Sequence, residues 1–308
     1  ITDRATDFIR HTAADKPFFA HVSYVQPHGP SCPPAEYMRQ VDIERVPEPV
    51  APEWVGEPDR PTCFPRYENV STEIPADWRL RRQYYFADIA HLDSKLGEVM
   101  NALSEAGRLE NTYIILLTDH GELLMDHGFR GKAEIHYDAC VRVPLIISGP
   151  GLQGGAECER IVQLEDICPT VLEMAGLPEP RPEVMGPYLK ETPSSSLPGR
   201  SLLGLCRGEM PEDWRDAAYV ESYNNITHCS TVDWARTIRT DRWRYTLYPG
   251  GNGEQLFDVL SDPDEQRNLA RNPEFADVRR ELRDRLLELI ILQDWPHTCR
   301  ERFALGVH

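Results

Sequence analysis

Apolar positions in the first quarter of the chain change between helical spacing, strand-like runs and no regular spacing. The stretch from Ile1 to Ala13 predicts a helix that Lys16 and Pro17 terminate. The aromatic-rich run from Phe18 to Val25 is typical of a buried strand. From Gly29 to about Ala76 prolines recur every few residues, which predicts a long irregular excursion over the surface.

The next elements alternate between helix and strand. Between Arg82 and Ala106 apolar residues recur every three or four positions, so we expect an amphipathic helix ended by Gly107. Its apolar positions are Tyr85, Ile89, Leu92, Leu96, Val99 and Leu103. The continuous aliphatic runs Tyr113 to Leu117 and Val143 to Ser148 predict strands buried on both faces of a parallel sheet.

The second half changes character after a Pro/Ser/Gly-rich connector at Gly186 to Gly199. A helix from Ile161 to Gly176 precedes the connector, and a helix from about Pro273 to Leu292 lies near the end of the chain. Between them we expect the short strands Ala217 to Tyr223, Trp234 to Thr240, Trp243 to Tyr248 and Gln255 to Val259. The pattern predicts a three-layer αβα domain of the α/β class over residues 1–185 and a small α+β subdomain, an antiparallel sheet plus helix, over 186–308.

Composition narrows the choice of partners. The formal charge of −17 disfavours nucleic acid and anionic lipid, and no apolar run is long enough to span a membrane. The eight cysteines contain no C-x-x-C pair, which argues against a zinc or redox motif. The compartment, cytoplasmic or periplasmic and secreted, is left open.

The first candidate functional residues lie at the end of the predicted strand Tyr113 to Leu117. Thr118, Asp119, His120, Gly121 and Glu122 follow it directly. Asp119 and His120 could bind one cation if the chain leaves the sheet between them, as Gly121 permits. A hydrogen-bonded turn would explain the same pair.

Further charged residues follow in a glycine-spaced loop. Lys132 could meet a tetrahedral anion as a point charge, and Arg130 could fork onto its oxygens. Glu122 and Asp126 could orient His120 or Lys132, with His136 as a more distant supporting candidate. A solvated, charged loop is the plainer alternative.

His28 follows the run Phe18 to Val25 and the residues Gln26-Pro27. It could be no more than a turn residue. If its strand ends at the same sheet edge as the strand before Asp119, its imidazole could instead donate a proton to a leaving-group oxygen.

Several separated blocks resemble the sulfatase family of the alkaline phosphatase superfamily. The longest is TDHGELLMDHGFRGKAEIHYDACVRVPLIISGP, residues 118–150. PFFAHVSYVQPHGP (17–30) and YYFADIAHLDSKLGEVMNAL (84–103) precede it, and LEDICPTVLEMAGLP (164–178) and GEQLFDVLSDPDEQRNLA (253–270) follow. The resemblance covers nearly the whole chain, in order, and implies an alkaline-phosphatase-like fold lacking its N-terminal part.

The resemblance also implies roles for individual residues. It assigns Asp119 and His120 to a divalent cation, Lys132 to the sulfate, and His28 to the ester and its leaving group. Calcium is the first expectation, with manganese or magnesium as alternatives.

The same resemblance places the nucleophile outside these residues. Such enzymes carry a cysteine, or sometimes a serine, in Cys-x-Pro-x-Arg, oxidised to formylglycine, and two further metal-binding aspartates on a first strand. Both are expected upstream of Ile1. Cys63-Phe64-Pro65-Arg66 fails the spacing, and Cys168-Pro169-Thr170 fails as well. We therefore expect the 308-residue chain alone to bind metal weakly and to have negligible turnover.

The function implied is metal-dependent hydrolysis of a small-molecule or glycan sulfate ester. A phosphonate or phosphate ester hydrolase of the same superfamily is one alternative. A non-catalytic sulfatase-like fragment that binds anionic ligands is another. The sequence also allows an oligomer, since Gln293 to His308 could dock on this subunit or a neighbour.

Overall fold

The computed structural model describes residues 1–58, 60–66, 70–132, 135–179, 197–222, 234–251 and 253–305. For residues 293–305 it describes the backbone alone. The connector and the domain boundary predicted between residues 185 and 186 lie largely outside the described residues.

Two helices form the N-terminal layer. Helix α1 (Thr2–His11) packs on α3 (Trp78–Glu105) through a cluster containing Ile9, Ala102 and Leu103. Gly107, at a φ of 66°, follows the end of α3 as predicted. The two helices predicted in this part of the chain are confirmed. The excursion between them is irregular as expected: its described residues form the short helix α2 (Ala35–Met38) and three 3₁₀ turns.

The prediction for the central sheet is only partly correct. Strands β1 (Ile114–Leu117) and β2 (Leu145–Ser148) form at the predicted places, but they pair antiparallel, so a parallel arrangement is wrong for these two strands. Ile146 is 58% exposed, and the prediction of burial on both faces fails there.

The run Phe18 to Val25 is not a strand in the described structure. A strand needs a hydrogen-bonded neighbour, and none pairs with this run among the described residues. Phe19 is accordingly 74% exposed.

Three short helices precede or follow β2 in the chain. They are α4 (Asp138–Val141), α5 (Ile167–Met174) and α6 (Leu203–Cys206). The predicted helix from Ile161 is thus shorter, beginning with a 3₁₀ turn at Leu164–Asp166. Asp166 is completely buried. Arg215 binds both of its carboxylate oxygens and so offsets the cost of burying the charge.

The C-terminal part is a four-stranded antiparallel sheet covered by one helix. The strands are β3 (Ala217–Ser222), β4 (Ala235–Thr240), β5 (Trp243–Tyr248) and β6 (Gly253–Asp258), in the spatial order β3-β4-β5-β6. Helix α7 (Ala276–Leu305) packs Leu282 and Leu286 against Ile238 and Tyr245 of the sheet. The predicted meander and terminal helix are confirmed.

An apolar core joins the N-terminal part of the structure to the C-terminal sheet. It joins Phe64 and Tyr137 to Tyr248 and Phe257 of the C-terminal sheet. The segment beginning at Ile135 is therefore packed directly against the C-terminal sheet. None of the described helices combines the length and the hydropathy that a membrane span requires.

Candidate active site

Asp119 and His120 lie just beyond β1, where the chain leaves the sheet. The Asp119 side chain is 85% exposed, and its Oδ1 accepts hydrogen bonds from the His120 backbone N–H (3.1 Å) and the Thr118 hydroxyl (3.3 Å). Burial alone would raise the pKa of Asp119, but His120 and these hydrogen bonds outweigh it and leave the pKa below its ordinary value. The carboxylate is therefore ionised at neutral pH, as a metal ligand must be.

Lys132 meets His120 across the loop. Its Nζ lies 2.7 Å from His120 Nε2, and His120 Nδ1 lies 2.7 Å from the Gly121 carbonyl oxygen. Because a carbonyl only accepts, Nδ1 carries the ring hydrogen and Nε2 accepts from the ammonium. The structure thus brings together three residues singled out in the sequence, Asp119, His120 and Lys132.

Glu122 closes the loop that separates His120 from Lys132. Its Oε1 accepts from the backbone N–H groups of Leu124 (3.2 Å) and Gly131 (2.5 Å), and Leu123 N–H donates to the Gly131 carbonyl (3.0 Å). Glu122 therefore fixes the backbone beside Lys132 and binds neither Lys132 nor His120 by a side-chain hydrogen bond.

Gly121 permits the close approach that holds the start of this loop. Its N–H donates to the Cys140 carbonyl at 2.7 Å, and a Cβ at Gly121 would lie 2.0 Å from the Ala139 carbonyl oxygen. Any side chain here would push the His120 segment away from α4.

Asp126 and Arg130 have other partners. Asp126 accepts from Arg82 Nη2 (2.5 Å) and from the Val50 backbone N–H (2.8 Å), so it anchors the loop to α3 and to the irregular excursion. Arg130 is exposed. The hydrogen bond from Arg81 is the main cause that holds the pKa of Asp77 below its ordinary value, and Arg130 adds a smaller electrostatic effect.

His136 lies in the interior, between the loop and the C-terminal sheet. Its Nδ1 is 2.8 Å from Thr237 Oγ1 and its Nε2 is 2.6 Å from Ser222 Oγ. Burial, aided by Arg244 and Arg236, lowers its pKa to about 3. His136 is thus a neutral residue that ties the segment after Lys132 to β3 and β4.

His28 is exposed and forms a tight turn. Its backbone N–H donates to the Val25 carbonyl (3.0 Å), and its Nδ1 lies 2.8 Å from the Gly29 carbonyl oxygen. Among the described residues its ring forms no hydrogen bond with Asp119, His120 or Lys132.

A divalent cation fits these residues only in part. Asp119 offers an exposed, ionised oxygen and His120 a ring nitrogen, both suitable donors. In the described part of the chain, no three or more His, Cys, Asp and Glu side chains converge as a metal site. Ligation through His120 Nε2 would also require Lys132 to turn to another acceptor, such as an anion.

None of the described cysteine strings offers a nucleophile beside this site. Cys63 is buried in the shared apolar core, and Cys168 lies in the first turn of α5. Ser196-Leu197-Pro198-Gly199-Arg200 has the serine form of the spacing, a match that the sequence reading passed over. Ser196 lies outside the described residues, and Arg200 is bound to Asp213.

Helix α3 supplies contacts that sequence reasoning missed. Arg82, Tyr85 and Asp88 are partly or fully buried and approach the loops that carry the candidate residues. Burial is the main cause that raises the pKa of Tyr85, and the nearby Glu122 adds to it. The sequence signal that could have revealed these contacts is Asp88, a charged residue on the inner side of an amphipathic helix.

Comparison with known proteins identifies the family. A model described as Sulfatase matches residues 1–177, more than half of the chain. The chain belongs to the sulfatase family. A second model, N-sulphoglucosamine sulphohydrolase, C-terminal, matches residues 125–291.

Individual sulfatase relatives agree with this assignment. An arylsulfatase of Clostridium perfringens is 30% identical over 282 residues, covering 90% of this chain and 54% of that protein. Arylsulfatase K of Danio rerio is 30% identical over 329 residues, covering 97% and 57%. The chain thus spans about half the length of the curated relatives it matches.

Solved structures show the fold. The phosphonate monoester hydrolase of Agrobacterium radiobacter has a TM-score of 0.73 at 30% identity, covering 94% of this chain and 60% of that one. A structure solved in complex with its substrate D-glucosamine-2-N,6-O-disulfate has a TM-score of 0.77 at 22% identity, covering 96% and 69%. The expected alkaline-phosphatase-like fold is confirmed.

Proposed function

We propose that this chain supplies the metal-binding and sulfate-binding residues of a sulfate ester hydrolase. The observation that carries the proposal is the contact of Lys132 Nζ with His120 Nε2 at 2.7 Å, next to the exposed carboxylate of Asp119. Two groups able to bind a cation, beside an exposed ammonium, suit an anionic tetrahedral substrate. Membership of the sulfatase family supports sulfate as that anion.

Each residue has a stated role in this proposal. Asp119 and His120 would hold a divalent cation, calcium by first expectation, with manganese or magnesium as alternatives. When bound, the cation would offset negative charge on the sulfate oxygens. Lys132 places a second positive charge there, and the sulfate replaces His120 as its acceptor. His28 donates a proton to the leaving alcohol.

The nucleophile of the proposed reaction is the formylglycine that the family resemblance assigns to a Cys-x-Pro-x-Arg motif. That cysteine motif does not occur in the 308 residues. A peptide map of the natural protein that finds the motif, with its cysteine converted, would support the proposal. Full turnover by the 308-residue chain alone would contradict this part of it.

The substrate class is proposed from relatives. The structural neighbour bound to a glucosamine disulfate supports a sulfated sugar or glycan as the ligand. A binding screen of sulfated and desulfated glycans against the natural protein tests this. Equal binding of both sets would exclude sulfate recognition.

The central test is Lys132→Ala in the natural full-length protein. Loss of a charge aimed at the reacting group should lower kcat/KM for an aryl sulfate by about 100-fold or more. Lys16→Ala is the matched control, since Lys16 is exposed and precedes the first candidate block. An equal effect of both substitutions would contradict the role of Lys132.

Metal dependence is tested separately. Chelation should abolish turnover, and stepwise addition of Ca²⁺, Mn²⁺ or Mg²⁺ should identify the ion that restores it. Asp119→Ala should weaken binding of that ion, measured by calorimetry. Unchanged turnover after exhaustive chelation would exclude a required divalent cation.

Phosphonate ester hydrolysis is the second candidate. It is supported by the Agrobacterium radiobacter phosphonate monoester hydrolase, which is 30% identical to this chain. Rates on paired aryl sulfate and aryl phosphonate esters with the same leaving group separate the two. Binding of sulfated glycans without turnover of either ester would favour a non-catalytic role.

A further inference from the structure

Asp88 is a buried carboxylate that is bound by a serine hydroxyl. It lies on α3, is 2% exposed, and accepts a hydrogen bond from the Ser31 hydroxyl. A buried carboxylate is costly unless it is hydrogen-bonded, so this contact holds Ser31 firmly against the helix. Ser31 is three residues beyond His28, and Pro27 and Pro30 restrict the backbone around the histidine.

The same helix also holds the other loop of the proposed site. Arg82, 5% exposed, donates to the Leu124 carbonyl (2.9 Å) and to Asp126 (2.5 Å). Arg82 and Asp88 are six residues apart, about 9 Å along the helix axis. Helix α3 therefore sets the position of the His28 turn relative to the loop of His120 and Lys132.

The ring of His28 is held in one tautomer. Nδ1 lies 2.8 Å from the Gly29 carbonyl, which only accepts, so Nδ1 carries a hydrogen in the neutral ring. Nε2 is then the nitrogen that takes up and releases the transferable proton. Its position depends on the turn that Ser31 anchors.

We infer that Asp88, acting through Ser31, is a positioning residue that fixes His28 for proton transfer to the leaving group. This inference rests on the proposed function. Asp88 touches neither substrate nor metal in this scheme; it determines where the His28 ring lies.

The test compares two aryl sulfates in the natural full-length protein. Phenyl sulfate has a poor leaving group that needs a proton, whereas 4-nitrophenyl sulfate has a good one that does not. In Ser31→Ala and Asp88→Ala, kcat for phenyl sulfate should fall about tenfold or more, with 4-nitrophenyl sulfate changing less than about twofold. Asp88→Asn should restore most of the rate, since its amide oxygen still accepts from Ser31.

The chain offers a matched control. Tyr37 Oη donates to Ser94 Oγ at 2.9 Å, a second hydrogen bond between the same excursion and α3. Tyr37→Phe should leave the ratio of the two rates unchanged. A loss of similar size for both substrates in Ser31→Ala would overturn the inference, because it would indicate general damage.

A double-mutant cycle isolates the pathway through His28. In a His28→Ala background, Ser31→Ala should have no further effect on phenyl sulfate, since the positioned group is already absent. Full additivity of the two losses would overturn the inference.

Hydrogen exchange separates this inference from the proposed function. The His28 amide should exchange faster in Ser31→Ala than in Tyr37→Phe or the parent protein. If the parent protein hydrolyses no sulfate ester, the proposed function fails, and the exchange result still decides whether Asp88 and Ser31 hold the His28 turn. Unchanged exchange would exclude that anchoring.

Discussion

The ion pair of Arg244 and Glu265 at the C-terminal sheet is enclosed, whereas the charged residues Asp119 and Lys132 of the loop 118–132 are exposed to solvent. In the sheet, Arg244 is completely buried, binds Glu265, and lies over the rings of Tyr137 and Phe257 at 4.7 and 4.6 Å. In the loop, Asp119 is 85% exposed.

The difference separates charges that stabilise the fold from charges that remain accessible to a ligand. The ion pair in the sheet is enclosed by protein and further held by a 2.7 Å hydrogen bond from the Asp138 N–H to Glu265. Asp119 and Lys132 instead face solvent, with His120 between them. Exposed charges placed side by side add little to stability, whereas they are well suited to binding an ion.

The largest expected effect is on the buried pair. Arg244→Ala leaves the Glu265 carboxylate buried without its guanidinium, so we expect the free energy of unfolding to fall by about 3–5 kcal/mol. Urea unfolding followed by circular dichroism measures this. Arg285→Ala, which breaks a pair with the exposed Asp216, should cost less than about 1 kcal/mol. Equal losses would remove the contrast between buried and exposed charges.

The next effect is a pH dependence that arises from His136. Its pKa is about 3 in the folded protein, against 6.5 ordinarily, so the unfolded chain binds the extra proton between these values. Its contribution to stability is complete above pH 6.5 and is lost as the pH falls towards 3. At pH 5 the contribution of His136 should be about 2 kcal/mol smaller than at pH 7.5. Burial also lowers the pKa of His127 to about 3, so His127 adds a separate loss over the same range.

The check is the same titration of stability in His136→Gln. This variant should lose less stability between pH 7.5 and pH 5 than the parent, and a substitution of the exposed His11 should not change the dependence. A parent and a His136→Gln variant with the same pH dependence would exclude His136 as the source.

The smallest expected effect is the change in stability when isoleucines of two different strands are replaced by valine. Ile238 of β4 is fully buried, so Ile238→Val should cost about 0.5–1.5 kcal/mol. Ile146 of β2 is 58% exposed, and Ile146→Val should change stability by less than about 0.5 kcal/mol. Thermal unfolding of both variants measures the difference. A larger loss at Ile146 would indicate that its surface is covered in the natural protein.

Local sequence patterns were sufficient to predict a helix or strand whose spacing of apolar residues is complete within that element. The spacing of Tyr85, Leu92 and Leu103 predicted α3, and the spacing of short runs predicted the C-terminal meander, because each pattern repeats with the period of its own element. The Asp119-His120 pair after a strand is a weak signal by itself, and the prediction of a metal site there also needed the charged loop that follows and the family resemblance.

Contacts between distant segments could not be predicted in the same way. Nothing local in the sequence pairs Ser31 with Asp88, or His136 with Thr237, because these residues are 57 and 101 positions apart. For the same reason the sequence could not show that Asp126, a candidate for orienting His120 or Lys132, accepts a hydrogen bond from Arg82 of α3.

The sequence by itself determined most of the helices, the strands of the C-terminal meander and the residues suited to binding an anion and a cation, since side-chain chemistry and backbone periodicity are local properties. Tertiary structure alone decided that β1 and β2 run antiparallel, that Lys132 meets His120, and that His136 is buried and neutral. These outcomes depend on which surfaces pack together and exclude water, and packing is set by the whole chain.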